Sequence, residues 1–491
     1  MNASAWAPAA ERTVVAPVEG GVWDLLVIGG GTAGLVGART AASLGASVLM
    51  VERDCTGGDC LWTGCVPSKA LLAAAAAAAD ARGAGRLGVH VDGVRVAFDE
   101  VMAHVHAAIA TIEPVDSPET LRAAGVHVVH GTARFTGPAT AQVDGAAVRF
   151  RQALVATGSD PAVPPIPGLA EAAPLTSDTV WNLTELPDRL VVLGGGTIGC
   201  ELGQAFTRLG SRVTIVEAAD RLLAGEDPDA ARLVTGALTT DGTTVFTGAP
   251  VTAVEGTAGG WNVVLNSGRR EPADVVLVAL GRRPDSRDLD LAAARVDVDE
   301  RGFVVVDTNL RTSNPRIWAA GDITGHPQFT HVAGVHGSTA AVNAILGLRR
   351  PADLIIPRVT YTAPEVAAVG APADTPGVTV RTLPHDEVDR AVVEARTAGF
   401  TRLVLDRRRR IIGATVVGPR AGETLAELTL AVRGGLKAQH LAASMHPYPT
   451  WGDGPWNAAI AEVRARLAAP PARRTTNALT ALRRRRLDLR G

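Results

Sequence analysis

Cysteine is scarce in this chain of 491 residues: only Cys55, Cys60, Cys65 and Cys200 occur. Four cysteines over that length make no disulfide scaffold and point to an intracellular, cytoplasmic protein. Aromatic residues amount to 4%, against 53 glycines. That balance suits α/β turns and phosphate loops better than a β-sandwich. The net charge of −2 argues against nucleic acid as a partner. No apolar run is expected to reach the length of a membrane span, the alanine tract at 71–79 being too short. Residues 1–22 lack a basic start followed by an apolar stretch, so they read as a flexible leader and not as a signal peptide. Lysine is scarcer still. Of 48 basic residues only Lys69 and Lys437 are lysines, so a retained lysine invites a specific reason. Tyrosine occurs twice, at Tyr361 and Tyr448.

Hydrophobic residues are plentiful at 46%, and the length suits three domains. The apolar run ending at Ile28 leads into Gly29-Gly30-Gly31-Thr32-Ala33-Gly34. Such a run followed by glycine reads as a buried parallel strand and a tight turn. A helix to about Leu44 follows, then a second strand ending at Glu52. The pattern returns 165 residues later as Gly194-Gly195-Gly196-Thr197-Ile198-Gly199, with its second strand ending at Glu217. Each acidic residue lies 23 positions after its first glycine. The chain therefore holds a duplicated βαβ unit.

Each glycine of Gly-x-Gly-x-x-Gly has a task. The first makes the turn, the second admits a pyrophosphate, and the third lets helix and strand pack closely. The helix start offers free N–H groups to the phosphates, and the acid accepts from ribose hydroxyls. Two dinucleotide sites follow.

The 57–69 block reads Gly57-Gly58-Asp59-Cys60-Leu61-Trp62-Thr63-Gly64-Cys65-Val66-Pro67-Ser68-Lys69. Two cysteines five apart can be bridged where the chain bends into a helix. Zinc is the rival reading, but no second cysteine pair follows and no suitable histidine is near, so no metal site is expected. A small core cysteine is the plainer alternative, and the glycines, the proline and Lys69 argue against it. His104, His106, His331 and His336 have no metal-ligand spacing, and His331 reads as structural.

With these motifs the chain resembles the pyridine nucleotide–disulfide oxidoreductases, flavoproteins that include dihydrolipoamide dehydrogenase, glutathione reductase and mercuric reductase. The likeness covers residues 23–467 and rests on the cysteine block, both glycine loops, Ala156-Thr157-Gly158 and the 312–322 segment. It implies an α/β fold with two Rossmann-like dinucleotide-binding domains and a C-terminal α+β dimerisation domain. It divides the chain into a leader (1–22), FAD-binding segments at 23–160 and 283–351, an NAD-binding domain at 161–282, a dimerisation domain at 352–468 and a basic tail at 469–491. It implies that Gly29, Gly31, Gly34, Glu52, Gly58, Lys69, Thr157, Gly158 and Asp322 hold FAD. Gly194, Gly196, Gly199, Glu217 and Gly281 would hold NAD. Lys69 would lie beside the flavin with Glu201 as its ion-pair partner. Reduced flavin would open a Cys60–Cys65 disulfide, Cys65 resting as the thiolate against the flavin and Cys60 attacking the substrate. Glu217 would repel a 2′-phosphate, which favours NADH over NADPH, although Arg221 lies four residues on. The family's active site needs both subunits, so a homodimer is implied.

The departures matter most. The family's thiol-reducing members carry a His-Pro-Thr with a Glu five residues after that His. Here Tyr448 takes the place of the His and Asp453 that of the Glu, while His446 sits two residues early and reads either as a substitute acid/base or as a structural histidine. A phenol is a poor base at neutral pH. Mercuric reductases also carry Tyr there, and Arg390 resembles their relatives, yet this chain has no cysteine after Cys200. Trp62, where Asn is common, is expected to narrow access to Cys60 or simply to pack. The function expected is that of a mercuric reductase-like enzyme without the mercury-binding C-terminal cysteines, passing electrons from NADH through FAD and the cysteine pair to a small-molecule acceptor that the sequence does not name, a quinone, a metal ion or a disulfide. The alternatives are dihydrolipoamide dehydrogenase or another disulfide reductase, and a non-catalytic FAD-binding regulator. The tail, with Arg473, Arg474 and Arg483 to Arg486, is expected to be a solvated, disordered terminus. The alternative is a basic amphipathic helix on anionic membrane.

Overall fold

A computed structural model describes residues 21–489; the first twenty residues of the expected leader and the last two of the tail lie outside the described residues. The chain forms two compact units.

The first unit takes in the described residues up to Gly85, His90–Arg221 and Asp241–Leu354. Its central strand, Trp23–Ile28, pairs in parallel with Val48–Glu52 on one side and Ala146–Val155 on the other. Val126–His130 and Ile317–Ala319 extend the parallel set. Apolar residues fill both faces because both are covered. Leu25, Val27 and Met50 pack with residues of the helices Thr32–Ser43 and Thr330–Leu346. Leu26, Ile28 and Leu49 pack with Phe135 and Val143 of two antiparallel strands. The two helices approach closely: a Cβ on Gly337 would lie 2.3 Å from the Ala33 carbonyl oxygen.

The second βαβ unit lies in the same compact unit. Thr244–Phe246, Arg212–Val216, Arg189–Leu193 and Val275–Val278 form a parallel sheet, with Thr197–Leu209 as the crossover helix. An antiparallel trio, Val251–Thr257, Gly260–Leu265 and Arg270–Ala273, adds to its core. The helix Cys65–Gly83 packs on Phe98–Asp116 and on Thr197–Leu209. One sequence expectation needs correction here. The stretch Gly58–Leu87 is long and apolar enough by length and composition to cross a membrane. Its alanines nevertheless give it the small-residue surface on which two neighbouring helices pack.

The second unit takes in Arg86–Val89, Leu222–Thr240 and the described residues from Ile355 onward. Its antiparallel sheet runs Arg358–Thr360, Glu365–Gly370, Ile411–Gly418, Phe400–Leu405, Thr379–Pro384. The helices Ala421–Arg433 and Asp453–Ala468 close its core. The 222–240 segment, which the sequence placed inside the 161–282 span, is tied to this unit by charge. Arg402 bridges Asp227 and Asp229, and Arg358 reaches Glu226 at 2.7 Å.

The tail also departs from expectation. Pro470–Asp488 is a helix with Pro at its start and no buried residue. Proline suits the first helical turn, and the alanines, arginines and leucines that follow are good helix formers.

Candidate active site

The cysteine block is folded by its glycines. Gly57 and Gly58 have φ of +106° and +57°, and Gly57 N donates to Gly30 O at 2.9 Å. The block thus closes over the first glycine loop: a Cβ on Gly58 would lie 2.7 Å from Gly31 Cα. Cys60 sits in the short helix Gly58–Trp62, and Cys65 is the first residue of Cys65–Gly83. Both are free thiols.

The electrostatics separate the two sulfurs. Cys65 is held below the usual thiol range by the hydrogen bond from Cys60, then by Thr330 and the charge of Lys69, against the opposing effect of burial. Thr330 Oγ1 lies 3.1 Å from Cys65 Sγ. The hydrogen bond between the two sulfurs raises Cys60, and burial adds to it. Cys65 is therefore the thiolate of the pair and Cys60 the thiol. Cys55 and Cys200 are pushed up to about 11 and about 12 by burial, which leaves both inert. Lys69, one turn along from Cys65, donates to buried Glu201 at 2.9 Å. Trp62 is itself buried and its Nε1 donates to Thr56 O at 2.8 Å. The indole therefore packs inward, a structural role.

Both glycine loops have the geometry of dinucleotide cradles. The helices that follow them, Thr32–Ser43 and Thr197–Leu209, begin behind Gly31 and Gly196 with no side-chain hydrogen bond from the cap, and a helix start of this kind favours an anion. Glu52 accepts from Gly30 N at 2.5 Å and Asp54 N at 2.8 Å. Burial still pushes its carboxyl up. Glu217 accepts from Gly195 N at 2.6 Å and Ala219 N at 2.7 Å. Asp322 accepts from Ser159 Oγ at 2.8 Å, beside Gly321 at φ +81°. Gly158 and Gly281 have φ of +74° and +109°, with no described residue within 4 Å of an added Cβ. Thr157 Oγ1 donates to Asp285 O at 2.7 Å. In donor set and free space these residues fit FAD at the first loop and NAD at the second.

The remaining candidates lie in the second unit. Tyr448 donates to Asp389 at 2.5 Å and not to Asp453, and that carboxylate raises the phenol further. Asp453 is buried and accepts from Thr450 N at 3.1 Å, and its Oδ1 has no partner among the described residues. His446 has both ring nitrogens engaged, with Glu427 at 3.0 Å and Ser444 O at 3.1 Å, and stacks on Trp456. His385 is pushed down to about 4 by burial. Arg390 pairs with Glu394. Among the described residues no group of three or more His, Cys, Asp or Glu could hold a metal ion.

Sequence reasoning missed several members of this site. Arg282, Ser159 and Thr330 reach it from distant segments. No local pattern marks any of the three, since each meets its partner only in the fold.

Comparison with known proteins adds to this geometry. Residues 23–337 match the family described as pyridine nucleotide-disulphide oxidoreductase, and residues 356–459 match its dimerisation domain. Mercuric reductase of Bacillus cereus is 38% identical over 442 residues, covering 88% of this chain and 70% of that protein. Dihydrolipoyl dehydrogenase of Chlamydia muridarum is 34% identical over 465 residues, 92% of this chain and 99% of that protein. The crystal structure of LpdA from Mycobacterium tuberculosis superposes with a TM-score of 0.82 at 29% identity, over 91% of this chain and 100% of that one.

Proposed function

The chain belongs to the pyridine nucleotide-disulphide oxidoreductase family, and from that premise we propose that it passes electrons from NADH through the Cys60–Cys65 pair to an acceptor that needs no assisted thiol protonation, such as a quinone. The family supplies the coarser frame. The chain is a catalytic flavoprotein disulfide oxidoreductase linked to FAD and NAD(H), resembling mercuric reductase and dihydrolipoyl dehydrogenase. It has two Rossmann-like domains and the family's dimerisation domain, which implies a homodimer. It has no cysteine pair beyond Cys200 of the kind a mercury-binding C-terminus would need.

When bound, FAD accepts hydride from the nicotinamide and releases electrons to a disulfide. The chain's own residues do the rest. Opening the Cys60–Cys65 bond takes two electrons and one proton, and yields the Cys60 thiol and the Cys65 thiolate. Thr330 and Lys69 stabilise that thiolate. Glu201 holds Lys69 in place from a buried position. Cys60 is left as the group that meets the acceptor.

The observation that carries the acceptor class is the placement of Tyr448. Its hydroxyl is committed to Asp389, and a phenol raised above its usual value does little base catalysis at pH 7. A disulfide substrate needs a proton delivered to its leaving thiolate; a quinone does not depend on that residue. The test is kcat/KM for menadione and for lipoamide with NADH, in the parent, Tyr448→His and His446→Ala. The expected result is a menadione value exceeding that for lipoamide by at least about tenfold, a transition-state difference of roughly 1.4 kcal/mol, with Tyr448→His narrowing the gap. Lipoamide turnover equal to menadione in the parent, lost in His446→Ala, would move the base to His446 and overturn the reading.

The NADH preference rests on Glu217, whose carboxylate would meet a 2′-phosphate. Glu217→Ala should reduce the NADH-over-NADPH ratio by about tenfold, the scale of one lost charge repulsion. Equal use of NADPH by the parent would dispose of it.

A further inference from the structure

Three side chains hold the segment that carries Cys60. Trp62 Nε1 donates to Thr56 O and Trp181 Nε1 to Thr63 O, each at 2.8 Å, so a buried indole fixes the carbonyl at either end. The third hold falls on Asp59, the residue directly before Cys60. Its half-exposed carboxylate pairs with the guanidinium of Arg282, whose side chain is only 14% exposed.

Arg282 does not serve Asp59 alone. Its Nε donates to Ser159 Oγ at 2.8 Å and its Nη2 to Ser159 O at 2.5 Å. Ser159 Oγ in turn donates to Asp322, whose Oδ2 lies 3.8 Å from Arg282 Nε. The strand Arg282–Pro284 pairs antiparallel with Ser159–Pro161, so a backbone ladder aims the guanidinium. A planar fork fixed in this way holds its acceptors in a set geometry, where the rotatable donors of an ammonium would not. The chain from Asp322 through Ser159 and Arg282 to Asp59 therefore ends one residue short of a reacting sulfur.

We propose that Arg282 is a positioning residue: by clasping Asp59 it holds Cys60 against Cys65 and so sets how strongly the pair favours the disulfide. This rests on the reading of Cys60 and Cys65 as the redox pair. The physical argument is effective concentration. Two thiols kept in contact close a disulfide more readily than two on a loose segment, because the entropy of bringing them together is already lost in folding. Releasing the segment should make the disulfide easier to reduce.

The probe is glutathione. The dithiol plus glutathione disulfide gives the Cys60–Cys65 disulfide plus two molecules of glutathione. One S–S bond forms as one breaks, and the two thiol protons pass to the two released glutathiones. The flavin-loaded full chain is equilibrated anaerobically in glutathione buffers of varied ratio, trapped with iodoacetamide, and the disulfide fraction is read by mass spectrometry. Asp59→Asn and Arg282→Gln should each lower the equilibrium constant by about tenfold, equivalent to roughly 30 mV. The double variant should fall no further than either single, because both remove the same contact. An equilibrium constant within about twofold of the parent in Asp59→Asn, or a double variant showing the product of two independent losses, would overturn the clasp. Should Arg282→Gln fail to keep flavin, Asp59→Asn decides alone, since its carboxylate is half exposed. If the parent itself forms no Cys60–Cys65 disulfide at any ratio, the redox-pair reading falls and the clasp with it.

Discussion

The two glycine loops are nearly the same object built twice, and they differ in what stands over them. Gly29 and Gly194 have φ of +103° and +109°. A Cβ on Gly34 or on Gly199 would lie 1.9 Å from the first carbonyl oxygen of its own loop. Glu52 and Glu217 each take a loop N–H and one two residues beyond themselves. Above the first loop, however, lies the cysteine block, with Gly57 bonded to Gly30 and Gly58 against Gly31. Above Gly196 no described residue comes within 4 Å of an added Cβ. The roofed cradle suits a group that stays, and the open one suits a coenzyme that must leave after each turnover. The glycine motif sets the shape of the cradle, and the neighbouring chain sets how long its occupant remains.

The largest test of this contrast is a methyl group at the third glycine of each loop. Overpacking of this kind costs about 1–3 kcal/mol or more. Gly34→Ala should yield protein largely free of flavin, read as a fallen flavin-to-protein absorbance ratio. Gly199→Ala should keep its flavin while the KM for NADH rises about tenfold or more, the equivalent of roughly 1.4 kcal/mol. Equal flavin loss in both variants would erase the distinction between resident and exchanging occupants.

A middle-sized effect is expected from Gly58→Ala set against Gly196→Ala. The first meets backbone and a positive φ, so the flavin-free protein should melt lower by about 2–4 °C for each kcal/mol lost. The second meets open space, so the melting temperature should hold while the KM for NADH rises, because the methyl occupies room kept for the pyrophosphate. Matching melting shifts would show that both loops are roofed.

The smallest effect separates the two acids. Burial raises the Glu52 carboxyl above its usual value. In the flavin-free protein the folded state therefore binds that proton more tightly than the unfolded state. Its contribution to stability is present in full below the unfolded pKa and is lost as pH rises through the folded one. Glu52→Gln should flatten the decline in flavin-free stability on going from acid to neutral pH, by about 1–2 °C in melting temperature. Glu217→Gln is the comparison variant. A Glu52→Gln profile with the parent's slope would assign the decline to other groups.

What could be read in advance was local. Cys60, Cys65, Lys69 and the loop glycines declare themselves within short windows because their chemistry depends on spacing along the chain. Glu201 needed the family resemblance to be paired with Lys69. Thr330 and Arg282 were out of reach: they meet Cys65 and Asp59 across 265 and 223 residues, and no local pattern encodes such a meeting. Tyr448 could be placed on its loop but not given a partner, since Asp389 lies 59 residues away. The helix at Pro470–Asp488 was legible in propensity, and the sequence offered it only as the alternative to an irregular terminus. The 58–87 stretch was underestimated because the alanine tract was measured without the residues that continue its helix.

The two indoles that grip Thr56 and Thr63 bear on speed in both directions. Electron transfer is slowed by whatever its surroundings must rearrange, and a preorganised site has little left to rearrange at the moment of reaction. With both ends of the segment held by Trp62 and Trp181, little backbone is left to move when the sulfur–sulfur bond breaks or re-forms. Little rearrangement lowers the barrier in both directions alike, so it quickens the exchange without changing the ratio of forward to backward rates. Such a segment is a wire and not a valve, and the net direction of current is left to the supply of reduced coenzyme and the demand of the oxidised acceptor.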